Sequence, residues 1–305
     1  MIDFVGKRYV FFLISAIMII PGMIILAIFG LRLGVDFVSG TAITLHFETE
    51  LDIGQLRQEL SNIGYTKAVV QPAGKGDFFI RVQEISAEET KQLTSDLETG
   101  LSTKVTISNL YSVSPIVAEG TVRNTIIAVI VASAGILLYI AWAFRKMPNP
   151  FRWGICAVIA LIHDLLIVIA LFSVLGWLAG IEVDALFVTG VLAVVGISVN
   201  NIVVVFDRVR ENVKKGMSPD FEIVVNYGIM DSVGRSMNTG LATLFVIVAL
   251  YLLGGVTIHN LVLALLIGIA IGIYSSLCIA GQLLVVWEKG RRITSPATRF
   301  AKRLA

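Results

Sequence analysis

Six long apolar runs dominate the pattern of the chain. They lie at Tyr9–Phe29, Thr125–Phe144, Trp153–Leu175, Ala185–Phe206, Ser236–Leu253 and Leu261–Trp287. Each is long enough to cross a hydrocarbon core of about 30 Å as a helix. The interval between the first two runs reads differently. Thr41–Glu48 alternates and is β-rich, predicting a strand. Ile53, Leu56, Leu60 and Ile63 follow at helical spacing, with Asp52 as N-cap and Gly64 as stop. Lys67–Gln71 reads as a strand, Gly74–Asp77 as a turn and Phe78–Ile85 as a strand. Ser86–Leu101 opens with the Ser-Ala-Glu-Glu of a capping box and continues as a helix, and Lys104–Leu110 closes as a strand. The order β-α-β-β-α-β is that of a split βαβ, ferredoxin-like sandwich. The expectation is an α-helical membrane protein of six transmembrane helices with a small α+β ferredoxin-like domain inserted between helices 1 and 2. The parts are residues 1–30 (N-terminus and first span), 31–123 (insert), 124–288 (spans two to six) and 289–305 (basic tail).

Composition agrees with a membrane protein. Apolar residues make up 56% of the chain and charged residues 15%, and the mean hydropathy is +0.85, which excludes an ordinary soluble domain. Trp142, Trp153, Trp177 and Trp287 stand at or just beyond span ends, as an interfacial aromatic belt requires. Sixteen of the 24 Lys and Arg residues fall in the N-terminus, two alternate short loops and the tail. The opposite loops, 176–184 and 254–260, contain none, so both termini are expected on the cytoplasmic side of the membrane. The first run is too long for a signal-peptide core and no small-residue cleavage site follows it, so it is expected to stay as an anchor. The insert carries twelve acids against eight bases. Its single histidine, His46, falls on the less buried face of its strand; the insert as a whole reads either as a passive cap or, through an open sheet edge, as a binding surface for extended chain. Cys156 and Cys278 lie inside spans without metal-ligand spacing and read as core residues, and nothing implies a cofactor. The basic tail suits lipid headgroups better than nucleic acid.

The candidate chemistry lies in polar residues at membrane depth. His163 and Asp164 sit near the middle of the third run, where an ionisable group costs roughly 2.5–3.5 kcal/mol and normally faces a bundle interior. They are rotated by about 100° from each other, so they cannot share one partner face. A structural polar lock and a role in proton passage both fit them. On the fourth span Ser198 and Asn201 share a face and Asn200 points elsewhere. Asp207, Arg208, Arg210 and Glu211 then end the run at the cytoplasmic surface. The fifth span opens with Arg235, followed by Asn238 and Thr239 on the same face; Arg235 reads either as a snorkelling anchor or as part of a polar route. The sixth carries small residues every fourth position, including Gly268, Gly272 and Ser276, which permits close approach of a helix in this chain or another.

Four of these elements together resemble the SecF family of the bacterial protein-export apparatus. Gly34, Asp36, Phe37, Gly40 and Thr41 match its motif after the first span. Leu161-Ile162-His163-Asp164, Ser198-Val199-Asn200-Asn201 running into Val205–Asn212, and Arg235-Ser236-Met237-Asn238-Thr239 match those of the third, fourth and fifth spans. The resemblance implies a resistance-nodulation-division fold that works as one half of a twelve-span pair with SecD. It implies use of the proton-motive force to help draw emerging unfolded polypeptide from the SecYEG translocon. In that family an acid in the fourth span and the arginine opening the fifth belong to the proton path. Asn201 stands here where the family has aspartate, and an amide cannot take up a proton near neutral pH. Three consequences stay open: Asp164 carries more of the coupling, the acid comes from SecD, or coupling in this chain is impaired. Ser39 replaces a family glycine, which the backbone accepts at an ordinary φ. The alternative is half of a proton-driven small-molecule or lipid exporter, against which the single small insert argues. An intramembrane enzyme is disfavoured, since neither H-E-x-x-H nor G-x-S-x-G occurs.

Overall fold

The computed structural model describes residues 3–49, 51–73, 76–145, 147, 149–255 and 258–294. In chain order it contains α1 (Arg8–Phe29), α2 (Val35–Val38), β1 (Gly40–Phe47), α3 (Ile53–Asn62), β2 (Val69–Pro72), β3 (Asp77–Val82), α4 (Ala87–Leu101) and β4 (Val105–Val113). There follow α5 (Pro115–Ala143), α6 (Pro150–Ala179), α7 (Ala185–Lys214), α8 (Phe221–Leu253) and α9 (His259–Ser275). A π-helical turn, Ser276–Ala280, leads from α9 into α10 (Gly281–Thr294). The chain divides into two compact units. One comprises Met1–Leu31, Ala128–Leu178 and Leu186–Ala305, the other Arg32–Ile127 and Ala179–Ala185.

Six helical segments among the described residues are long and apolar enough to cross a membrane, the sixth running from His259 through the π-helical turn to Glu288, and helix is the form in which a single segment can satisfy its backbone in lipid. Most outrun their apolar stretches. The fifth begins at Phe221, fifteen residues before Ser236, because its first turns are amphipathic rather than lipid-like. In the helical unit Phe144, Trp153 and Phe206 form an aromatic knot, with Phe144 stacked on Trp153 at 5.2 Å and Phe206 edge-on to both. Trp153 is fully buried, so its place at a helix end reflects core packing, and the interfacial belt is confined to the exposed Trp142, Trp177 and Trp287. Arg152 and Glu288 close a hydrogen-bonded ion pair, with Arg152 buried beside Phe221. Cys156 and Cys278 are buried and unbridged. The basic residues of the tail beyond 294 lie outside the described residues.

The second unit is built on an antiparallel sheet in the order β2-β3-β1-β4, with its core between Ile43, Leu45, Leu56, Ile80, Leu93 and Leu97. Its helices start where the side chains provide caps. Asp52 accepts from the Gly54 N–H at 2.8 Å, and Ser86 and Glu89 form the reciprocal capping box. His46 is partly exposed on β1, its Nδ1 2.6 Å from Asp77 Oδ1. The turn expected at Gly74–Asp77 falls partly outside the described residues.

The motif after the first span does its work within this unit. Gly34 bonds to the Val183 carbonyl at 2.7 Å, and a Cβ there would lie only 3.1 Å from that oxygen. Asp36 accepts from the N–H of Ala185, the first residue of α7, at 2.8 Å, acting as an N-cap supplied from distant sequence. Half-buried Phe37 completes the short turn by donating its N–H to Gly34. Thr41 contacts Ser112 Oγ at 3.1 Å and accepts from the Ile85 N–H. Ser39 does not keep an ordinary φ: it sits at φ 62°, ψ 165°, followed by Gly40 at φ 134°. That is a region open almost only to glycine and costs a side chain about 1–3 kcal/mol. Ser39→Gly is therefore expected to stabilise the unit by about 1–2 kcal/mol, read as a higher unfolding midpoint.

Glu182 shows a second local tension. Its carboxylate is buried 3.3 Å from Arg81, which also bonds the Leu33 carbonyl. Burial pushes Glu182 above its usual range, and Arg81 and Arg32 only partly offset this. The unfolded carboxyl thus titrates below the folded one. The stabilising contribution is full below the ordinary value of 4.5 and declines as the pH rises through the folded value. Glu182→Gln is expected to flatten that decline, measured as unfolding midpoints from pH 4 to 8.

Candidate functional site

Asp164, in the middle of α6, is 1% exposed and surrounded by donors from three other positions. Ser198 of α7 donates to Asp164 Oδ2 at 2.5 Å, and Ser275 at the end of α9 donates to the same oxygen at 2.8 Å. His163 Nδ1 lies 3.0 Å from Oδ1. The 100° rotation sends Asp164 toward α7 and α9 and His163 toward α1, but the imidazole also folds back on its neighbour's carboxylate. His163 Nε2 is 2.8 Å from Ser15 Oγ on α1, Ser15 Oγ is 3.2 Å from Tyr274 Oη, and Tyr274 donates to the Phe11 carbonyl at 2.7 Å. A chain of polar contacts thus joins α1, α6, α7 and α9 within the helical unit.

Backbone geometry brings these groups together. Gly268 packs so closely on α7 that a Cβ would meet Val194 at 2.3 Å, and Gly272 faces Ser198 with a Cβ position 3.4 Å away. The small-residue stripe therefore has its partner in this chain, and that approach carries Ser198 and Ser275 to one carboxylate oxygen. Ser276, which donates back to Ile273, opens the π-helical turn directly after Ser275. Such a widened turn is common where a helix is adapted to a site.

Ser15, Tyr274 and Ser275 are members that the sequence reading missed. The signal available was the Tyr-Ser-Ser run interrupting the sixth apolar stretch. A serine in a span usually satisfies itself on a preceding carbonyl, so it raises no alarm.

The other polar positions do not join this cluster. Asn201 is 6% exposed and lies one turn beyond Ser198, while Asn200 is exposed. Both line a groove of about 450 Å³ with Thr239, Gly240, Thr243 and Ile269. Arg235, Asn238 and Thr239 all stand on an exposed face of α8, and Arg235 makes no ion pair or hydrogen bond among the described residues. The polar positions of the spans thus divide into an internal cluster about Asp164 and an outward groove beside Asn200, Asn201 and Thr239, with Arg235 on the exposed face of α8. The azimuth of α8 turns its polar stripe away from the interior. Asp207, Arg208, Arg210 and Glu211 form a solvated helix end, with Arg208–Glu211 at 2.7 Å and Arg210–Asp207 at 3.4 Å, pairs that contribute little to stability.

Comparison with known proteins agrees with the motifs. A family model described as protein export membrane protein SecD/SecF, C-terminal, matches residues 93–290, and another, the SecD/SecF GG motif, matches residues 24–50. The strained Ser39-Gly40 pair, with its two positive φ angles, lies within the second match. The chain is similar to protein translocase subunit SecF of Thermobaculum terrenum, 44% identical over 300 residues with 94% of each chain covered. It is 33% identical to protein translocase subunit SecDF of Bacillus subtilis over 95% of this chain but 38% of that one. Among solved structures, the crystal structure of SecDF from Thermus thermophilus, described as a translocon-associated membrane protein, superposes with a TM-score of 0.85. Identity there is 30%, over 94% of this chain and 39% of that chain. From its spans to its glycine motif, this multi-pass membrane chain belongs to the SecF family of protein translocase subunits.

Proposed function

We propose that the chain pairs with a SecD half and uses the proton-motive force to assist export of polypeptide on the outer side of the inner membrane, with both termini cytoplasmic. The Asp164–His163 pair is the proton site that this chain supplies. The observation that carries this reading is a carboxylate buried at mid-span and held by donors from two other helices and an adjacent imidazole. A carboxylate and an imidazole in contact can exchange a proton, whereas Asn201 cannot take one up.

The fused SecDF relatives, of which this chain matches 38% and 39%, support SecD as the partner. The groove beside Asn200, Asn201 and Thr239, with Arg235 and Asn238 on the same exposed side of α8, is the surface we assign to that half. The exposed apolar side chains of α1 and α5, such as Ile17, Ile24, Ile127 and Ile130, suit lipid. We read the sheet unit as a ferredoxin-like, extracytoplasmic domain whose edge meets emerging chain near SecYEG; its strand order supports that reading.

Asp164→Asn keeps the shape of the side chain and removes its charge. In inverted membrane vesicles containing the whole complex, proton-gradient-driven completion of translocation is expected to fall at least about tenfold, a loss of roughly 1.4 kcal/mol or more of coupling. The ATP-driven initiation step should be unchanged. Full gradient-driven transport by the variant would reduce Asp164 to a packing residue.

A further inference from the structure

The hydrogen atoms available to the polar chain fix more than its endpoint. Tyr274 has one hydroxyl hydrogen, and it is donated to the Phe11 carbonyl. With Asp164 ionised and His163 neutral, the imidazole's one N–H must lie on Nδ1, since a bare Nδ1 would set its lone pair against carboxylate oxygen 3.0 Å away. Nε2 is then an acceptor and takes the Ser15 hydroxyl hydrogen across 2.8 Å. In that state no hydrogen remains for the 3.2 Å contact between Ser15 and Tyr274.

One added proton changes the whole line. Whether it rests on the imidazole or on Asp164 Oδ1, Nε2 now carries a hydrogen and donates it to Ser15 Oγ. The Ser15 hydroxyl is released and turns to Tyr274 Oη, and every contact from Asp164 to the Phe11 carbonyl contains one hydrogen. The only change in inventory is the proton taken up: it forms the Nε2–H bond, and where the pair's proton rests on Asp164 the Nδ1 hydrogen has passed across the 3.0 Å contact to Oδ1. The titratable groups facing His163 are Asp164 on its own helix and Tyr274 on α9, with Cys278 beside Tyr274. The contacts from α1 and α7 are the hydroxyls of Ser15 and Ser198.

We propose that Ser15 is a positioning residue whose hydroxyl reverses on protonation of the Asp164–His163 pair, so that α1, held to Tyr274 through the Phe11 carbonyl in both states, gains the second, Ser15–Tyr274 hydrogen bond only in the protonated state. The proposal rests on the reading of that pair as a proton site and adds the means by which the first span senses it.

The test is infrared difference spectroscopy of the purified subunit between acid and alkaline pH, following the tyrosine ring and C–O bands. A tyrosine signal is expected in the unaltered protein and its loss in Tyr274→Phe, which assigns it. It should also be lost in Ser15→Ala and restored in Ser15→Thr, which keeps the hydroxyl. Absence of the signal in the unaltered protein, its survival in Ser15→Ala, or its loss in Ser15→Thr as well would each overturn the proposal. Because the readout is spectroscopic, it fails independently of the transport test on Asp164→Asn.

Discussion

Asp164→Leu is expected to lower the stability of the helical unit by about 2–4 kcal/mol, measured by unfolding in mixed micelles. The substitution leaves the Ser198 and Ser275 hydroxyls and the His163 N–H without their acceptor. Each orphaned buried donor costs about 1–3 kcal/mol. The sum is reduced because hydroxyls can turn back to helix carbonyls, as Ser275 already does toward Gly272 at 3.4 Å. Hydrogen bonds between membrane helices also average only about 0.6 kcal/mol when measured against an unfolded state that finds other partners. Asp164→Asn retains an acceptor oxygen and should cost less than half as much. Equal losses for the two variants would mean that shape, not hydrogen bonding, holds the cluster.

Gly268→Leu should cost about 3 kcal/mol and disable the site together with the packing. A Cβ at Gly268 would meet three atoms of Val194 between 2.3 and 2.9 Å, so α9 and α7 must separate. Overpacking of this kind typically costs 1–3 kcal/mol, and here separation also stretches the contacts of Ser198 and Ser275 with Asp164. Gly135→Leu is the control, since nothing lies within 4 Å of its Cβ position. Comparable destabilisation by both would remove the close approach of α7 and α9 from the explanation.

The spans were legible in the sequence because lipid imposes a length and an apolarity that few other segments meet. The sheet unit was legible from alternation and capping residues, to within a residue or two at most boundaries. Trp153 was misread because adjacency to a helix end says nothing about which way the ring points. Ser39 was misread because a positive φ leaves no mark on the side-chain pattern; only the glycine expected from the family pointed to it. In the site, charge made Asp164 and His163 visible, while the hydroxyls that hold them, Ser15, Tyr274 and Ser275, look like ordinary span residues. Asn200 and Arg235 were recognisable as unusual, yet the rotation of α7 and α8 that turns them outward depends on packing, which no single helix encodes.

The most direct measurement of the central claim is proton uptake by the reconstituted subunit after an acid jump, counted with an indicator dye. The unaltered protein is expected to take up about one proton more than Asp164→Asn, with Asp207→Asn as a control for exposed carboxylates. Equal uptake by the unaltered protein and Asp164→Asn would contradict the assignment of the buried pair as the site that is protonated.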